Sequence, residues 1–409
     1  MKQLIFAIIL IISLSATATN YSATECQGSL RPYTPPTETY NYPDTLTPIF
    51  INHVGRHGSR FPASNATSIL LQRHLQKADS LGTITPLGMH FYESVNKVIT
   101  SSEGRWGELD SIGINEQRGI AHRMYNKYSS LLDNGNIKAF STYSPRAVMS
   151  MYSFTHQLTQ VAKDITITTS EGKKHSPILR FFDVDNDYLK FRTENKWKEV
   201  YDKYVIETCP INPIIRLLGN KYPATPELLK ELAINEYYLI AGMSAMGIDF
   251  NSSKYLNIDE YNRLWSIFNL RQYLQRTSTT ISDIPATISA PLVEDIVLTA
   301  DSVINGSLDI KAQLRFAHAE TLMPLLSLLH APNCFYMTHY FDTVSSHWKD
   351  FYVVPMAANL QLIYFTSPSG IIYVRADLNE IPIPIIPNNP EIYVRWDRLR
   401  EYMLSISLM

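Results

Sequence analysis

Three short β-like runs in this chain each pass directly into a turn or helix that carries charged side chains. Ile49 to Val54 leads into Gly55-Arg56-His57-Gly58-Ser59-Arg60-Phe61-Pro62. Ile137 to Thr142 leads into a helix beginning near Arg146, with Ser144 as its cap and Pro145 at its first position. Ala312 to Ala317 leads through His318-Ala319-Glu320 into the Leu-rich stretch Thr321 to His330. Strands that alternate with helices build βα units, whose crossovers favour a parallel sheet with helices on its faces. A further strand is expected at Asp164 to Thr169. A hairpin is expected from Leu360 to Phe365 and Ile371 to Arg375, around Ser367-Pro368-Ser369-Gly370. The expected fold is α/β, a mixed and mostly parallel sheet flanked by helices.

Between about 184 and 305 the strand signals fade. Thr225-Pro226-Glu227 combines a capping residue with Pro at the first helical position, and Asn257 with Glu260 has capping-box spacing. This stretch reads as a helical cap domain, 184–305, inserted into an α/β domain made of 27–183 and 306–409. Asn115 to Leu132 reads as a helix of the α/β part, and the Pro-, Thr- and Tyr-rich residues 27–48 as an extended lead-in.

The chain has 409 residues, 45% of them hydrophobic and 18% charged, which is the composition of a globular protein. Its formal net charge of −2 supplies no bulk basic field, so nucleic acid is not an expected partner. An anionic ligand must be held by a local cluster of arginines. At the N-terminus, Lys2, the apolar run Leu4 to Leu14 and Ala16-Thr17-Ala18 have the order of an export signal spanning 1–18. The expected location is therefore periplasmic, cell-surface or extracellular. No later segment is long and apolar enough to span a bilayer, so no stable membrane insertion is expected once the signal is removed. Cys26, Cys209 and Cys334 allow at most one disulfide, and their wide spacing excludes a compact zinc motif. We expect a monomer.

In open α/β sheets, ligands bind beyond the carboxyl ends of the strands. Arg56, His57 and Arg60 follow the first run, Arg146 the second, and His318 with Glu320 the third, so one cleft could gather them all. Arginine presents a planar fork of donors matched to phosphate oxygens, and three of them would stabilise a phosphoryl group through its transfer. A neutral His57 could attack phosphorus. Glu320 could protonate the leaving alkoxide and later deprotonate water, and His318 could donate a further hydrogen bond to the phosphoryl oxygens. With the charge supplied by arginine, no metal or other cofactor is needed.

Arg56-His57-Gly58-Ser59-Arg60-Phe61-Pro62 resembles the Arg-His-Gly-x-Arg-x-Pro signature of the histidine phosphatase superfamily, in its acid phosphatase branch. That branch usually carries His-Asp on the later strand. His318-Ala319-Glu320 instead resembles the multiple inositol polyphosphate phosphatases, which are phytases. Gly107-Glu108-Leu109, Ile112-Gly113, Glu116-Gln117-Arg118-Gly119-Ile120-Ala121 and Arg180-Phe181-Phe182-Asp183 resemble segments of the same family. The resemblance covers about residues 29 to 330. It implies a phosphoglycerate-mutase-like α/β domain with a helical cap. It also implies His57 as nucleophile, Arg56, Arg60, Arg146 and His318 as phosphate ligands, and Glu320 as proton donor. Arg180 is expected to contact outer substrate phosphates. Lys190, Arg192 and Lys196 read as a solvated face that could line a cleft mouth.

The substrate expected is a small phosphate ester such as an inositol polyphosphate. The rivals are a broad acid or sugar-phosphate phosphatase, an inactive relative that only binds phosphorylated ligands, and a cofactor-independent mutase. The inactive relative would have lost His57 or Glu320, and neither is replaced. The mutase fits poorly with export and with a large helical insert.

Overall fold

The computed structural model describes residues 20–193 and 195–408; the expected export signal lies outside them. Among the described residues eight strands form one sheet: β1 (Thr47–Arg56), β2 (Asn136–Ser141), β3 (Thr166–Glu171), β4 (Ala312–Ala317), β5 (Asn359–Thr366), β6 (Ile372–Leu378), β7 (Ile381–Ile383) and β8 (Tyr393–Arg395). Their order is β3-β2-β4-β1-β5-β6-β7, with β8 also pairing β6. From β3 to β1 the pairings are parallel, and from β1 onward they are antiparallel. The sheet is thus mixed, with the parallel half built from the βα units seen in the sequence and the other half from the hairpin.

Side chains alternate across a strand, and the alternation assigns each face its helices. Ile51, Leu314, Phe316, Ile363 and Phe365 pack against Ile120, Met124, Met151, Phe154 and Leu158 of the helices Ser111–Leu132 and Pro145–Val161. Their neighbours Phe50, Leu360, Leu362 and Tyr364 face the other way. They pack with Leu292, Ile296, Leu322, Leu399 and Met403 of the helices Ala290–Ile304, Ala319–Leu328 and Trp396–Ser407.

A third apolar cluster forms a helical layer over one end of the sheet. It joins Leu71, Leu75, Phe91 and Val95 of the helices Ala66–Ser80 and Pro86–Ser102 to Leu217, Leu232, Tyr237, Leu264 and Trp265. The layer therefore draws on two separate stretches of chain. Within the expected insert 184–305, the last helix, Ala290–Ile304, packs on the sheet. The signals for the layer's own helices are matched. Asn257 Oδ1 accepts from Glu260 N at 2.9 Å while Glu260 Oε2 accepts from Asn257 N at 2.9 Å, and Thr225 Oγ1 accepts from Leu228 N.

Other boundaries shift for local reasons. Ser144 stands at the cap position with Pro145 next, but its side chain makes no capping bond. β3 starts at Thr166 because Asp164 sits in the left-handed region, φ 49°. The last helix of the site, Ala319–Leu328, ends before His330, whose φ is 48°. A short 3-10 helix, Glu25–Leu30, overlaps the start of the expected extended lead-in 27–48. The three cysteines are buried and unpaired. Among the described residues no helix is long and apolar enough to cross a membrane.

Candidate active site

The parallel register brings three strand ends level. Arg56 stands opposite Ala317, and Phe316 opposite Ser141. The next residues, His57, His318 and Thr142, therefore lie side by side. His57 N donates to Ala317 O at 3.0 Å, Thr142 N to Phe316 O at 3.2 Å, and Ala357 N to His57 O at 3.0 Å. The nucleophile candidate is thereby tied to the end of β4 on one side and to the turn that leads into β5 on the other.

After His57 the chain turns away through Gly58, and glycine is required there by contact. A Cβ on Gly58 would lie 2.5 Å from Gly113 O, and one on Gly113 would lie 2.2 Å from Ser59 O. The two backbones touch, which accounts for glycine in both the Arg-His-Gly turn and the start of the 111–132 helix. Residues 59–62 then run antiparallel to 107–110, with Asp110 N donating to Ser59 O and Phe61 N to Glu108 O. Glu116 clamps the turn. Its carboxylate accepts from Ser59 N at 2.6 Å, Ser59 Oγ at 2.7 Å and Tyr33 N at 2.7 Å. Gly58 N donates to Ser150 Oγ, which donates to Arg146 O, linking the turn to the neighbouring helix.

His57 Nδ1 lies 2.9 Å from Gly58 O. A carbonyl only accepts, so Nδ1 carries the proton and Nε2 of the neutral ring keeps its lone pair. Burial, then the charges of Arg146, Arg56 and Arg60, hold this imidazole well below its usual pKa, so it is neutral. Arg56 is anchored through Nη1 to Ser29 O at 2.6 Å and Val354 O at 2.5 Å, and its own carbonyl accepts from Gln117 Nε2. Behind Ser29, Asp350 accepts from Ser29 N at 2.7 Å and Trp265 Nε1 at 2.9 Å. Burial, opposed by Glu320 and Glu116, brings Arg56 down to about 10, and burial with repulsion from Arg146 and Arg56 brings Arg60 down to about 9. The Nε atoms of Arg56, Arg60, Arg146 and Arg276 are buried without a hydrogen-bond partner among the described residues. Four unspent donors in one place suit an oxyanion.

Arg56, His57, Arg60, Arg146 and Glu320 line one cavity of about 410 Å³ between the strand ends and the helical layer. From the helical side it is lined by Arg192, Arg271, Gln272 and Arg276. Of the basic trio at 190–196, Arg192 is the member that reaches this cavity. Glu320 opens to it at the start of the 319–328 helix and pairs with Arg276, Nη2 to Oε1 3.1 Å. Burial would raise the Glu320 carboxyl, but Arg276, His318 and Arg56 outweigh it and hold the group well below the usual carboxylate range.

His318 and Arg180 stand outside the cavity lining. The His318 ring meets that of His57 edge-on, with centroids 5.5 Å apart. Its Nε2 accepts from Arg180 Nη1 at 2.8 Å and lies 3.0 Å from Thr142 Oγ1, so Nε2 itself carries no proton. Arg180 is otherwise committed to Asp183, through Nε at 2.8 Å, and stacks on Tyr143. Here it touches His318 rather than facing outward. Arg276, Arg271 and Glu116 belong to the site although no sequence motif assigns them a role there. Glu116 lies in the family-like stretch 116–121, and Arg276 ends a helix with no local signature. Among the described residues no group of three or more His, Cys, Asp or Glu could hold a metal ion.

The family model described as "Histidine phosphatase superfamily (branch 2)" matches residues 49–379. A multiple inositol polyphosphate phosphatase of Bifidobacterium longum, solved with inositol hexasulfate, has a similar structure. The TM-score is 0.79 and the identity 18%, over 94% of this chain and 98% of that one. The phytase from D. castellii follows at TM-score 0.75 and 16% identity, covering 94% and 85%. The phytase of Hafnia alvei, solved with myo-inositol hexakis sulphate, is more distant, with TM-score 0.52 and 10% identity, covering 89% and 98%.

Proposed function

Because this chain belongs to branch 2 of the histidine phosphatase superfamily, and because of the cavity's chemistry, we propose that it hydrolyses inositol polyphosphates such as phytate through a phosphohistidine. One observation carries the reading: a neutral imidazole with a bare Nε2 lines the same cavity as three arginines with unspent donors and a carboxyl group.

Arg56, Arg60 and Arg146 hold the non-bridging oxygens of the phosphoryl group. His57 Nε2 attacks phosphorus, the bond to the leaving oxygen breaks, and Glu320 in its protonated form gives that oxygen its proton. Water then attacks the phosphohistidine, losing a proton to Glu320 as the P–N bond breaks. Inorganic phosphate leaves and His57 is neutral again. His318 packs edge-on against the His57 ring rather than donating to the phosphoryl oxygens, and Arg180 holds the His318 ring through Nε2. The reach of Arg192, Arg271 and Arg276 into the cavity favours a substrate with several phosphates over a small monoester.

Purified protein mixed with phytate should release phosphate, and His57→Ala should abolish the release. Absence of release from acid to neutral pH in the wild type would overturn the substrate assignment. We also propose export, on the residues 1–18. N-terminal sequencing of protein recovered outside the cytoplasm should begin past Ala18, and an intact Met1 would refute it.

A further inference from the structure

The mechanism asks Glu320 to donate a proton, yet the structure pairs it as a carboxylate with Arg276 at 3.1 Å. That ion pair is held from both ends. Arg276 closes the Ile258–Arg276 helix, where a cation is favoured by the helix dipole, and its Nη1 donates to Gln272 Oε1 and Gln275 Oε1. Glu320 lies in the first turn of the 319–328 helix, where an anion is favoured. The charged and titratable groups facing Glu320 are Arg56 from β1, Arg60 from the turn, Arg146 from the 145–161 helix, Arg276, the neighbouring His318, and Tyr188 from the Asn186–Thr193 helix.

Three of these, Arg56, Arg60 and Arg146, also act on His57 and are the ones a reacting phosphoryl group would occupy. Arg276 differs in two respects. It is bonded to Glu320 directly, and it lines the cavity from the helical side beside Arg271, with its Nε buried and unpartnered among the described residues. Nε and Nη2 together make the two-pronged edge of a guanidinium that phosphate oxygens fit. One prong is unspent and the other is spent on Glu320.

We propose that Arg276 is a positioning residue for the proton donor. A phosphate on the substrate next to the one being removed draws the Arg276 guanidinium off Glu320, which then takes up from solvent the proton the leaving alcohol needs. The enzyme is thereby tuned to substrates with neighbouring phosphates by the readiness of its acid as well as by affinity. The proposal rests on the phosphatase reading above and adds a substrate-sensing step to it.

The test is the pH dependence of alcohol release in a single turnover at saturating substrate, which reads the enzyme–substrate complex. Phytate supplies neighbouring phosphates, and glycerol 2-phosphate supplies one. In the wild type, the alkaline fall in rate should come at higher pH for phytate than for glycerol 2-phosphate. In Arg276→Gln the glycerol 2-phosphate limb should rise by about 1–3 pH units and meet that of phytate. Arg276→Lys, which keeps the charge, should restore the separation. Coincident limbs in the wild type, or a separation that survives Arg276→Gln, would overturn the proposal. The wild-type comparison needs no variant, so a failure of Arg276→Gln to fold still leaves the idea open to refutation. p-Nitrophenyl phosphate, whose leaving group needs little protonation, separates the two claims. If the wild type hydrolyses neither it nor phytate, the phosphatase reading falls. If it is hydrolysed while the limbs coincide, only the role of Arg276 falls.

Discussion

Glu236 should make the helical layer lose stability as pH rises. Its side chain is fully buried on the Pro226–Gly242 helix, among Leu232, Tyr237 and Ile240, and neither carboxyl oxygen has a hydrogen-bond partner among the described residues. Arg216, whose charge pulls the group down, cannot serve it. Both Arg216 Nη atoms bind Glu260 at 2.6 Å, and Nη2 also binds Tyr255 O. Burial therefore dominates and pushes the Glu236 carboxyl well above its ordinary 4.5, helped by the nearby Glu260. The folded state thus holds a proton that the unfolded chain releases above pH 4.5. The stabilisation is complete below that pH. It declines by about 1.4 kcal/mol for each further pH unit until the folded-state pKa is reached.

Urea unfolding of the wild type, Glu236→Gln and Glu236→Leu at a series of pH values isolates this slope. The pH-independent cost of each replacement cancels when only the change with pH is compared. The difference in unfolding free energy between wild type and either variant should move in the variant's favour by about 1.4 kcal/mol per pH unit from mildly acidic pH upward. A difference that stays flat from pH 5 to pH 8, at roughly the same value throughout, would refute the reasoning.

Three further outcomes follow from the site. Gly58→Ala should lose most activity and stability, since its Cβ would meet Gly113 O at 2.5 Å; a variant with wild-type melting and turnover would contradict the backbone contact. Asp350→Asn turns one of two accepting oxygens into a donor facing either Ser29 N or Trp265 Nε1. It should cost about 1–3 kcal/mol in denaturant unfolding and lower kcat/KM through the Ser29–Arg56 contact. Glu116→Gln breaks the clamp on Ser59 and should reduce kcat/KM by about tenfold or more, measured on any hydrolysed ester.

The strands that carry the site were legible because each announces itself locally. β4 spans the expected Ala312–Ala317, the run at 49–54 lies on β1, and the run at 137–142 lies on β2 up to Ser141. Caps such as Asn257–Glu260 are equally local, since three residues define them. Membership of the helical layer was not legible from 184–305 alone. Leu71 and Phe91 carry ordinary amphipathic stripes that could cover a sheet or another helix, and only the tertiary arrangement decides. Arg276 was hidden for a similar reason: it is one cation at the end of a helix, and its meaning comes from a carboxylate 44 residues away. Arg180 was visible as part of a segment, but its partners, His318 and Asp183, give it an inward duty that spacing does not reveal.

The tethering of His57 between Ala317 and Ala357 has a consequence for how a covalent step must proceed. An imidazole mounted on a free loop could swing toward its target. The His57 backbone is instead tied on both sides where β1 ends, so in the proposed exchange the travelling party is phosphorus itself. It shuttles between the departing oxygen, the ring nitrogen and the incoming water while the scaffold stands still. Phosphorylated and resting enzyme should therefore superimpose at these strands.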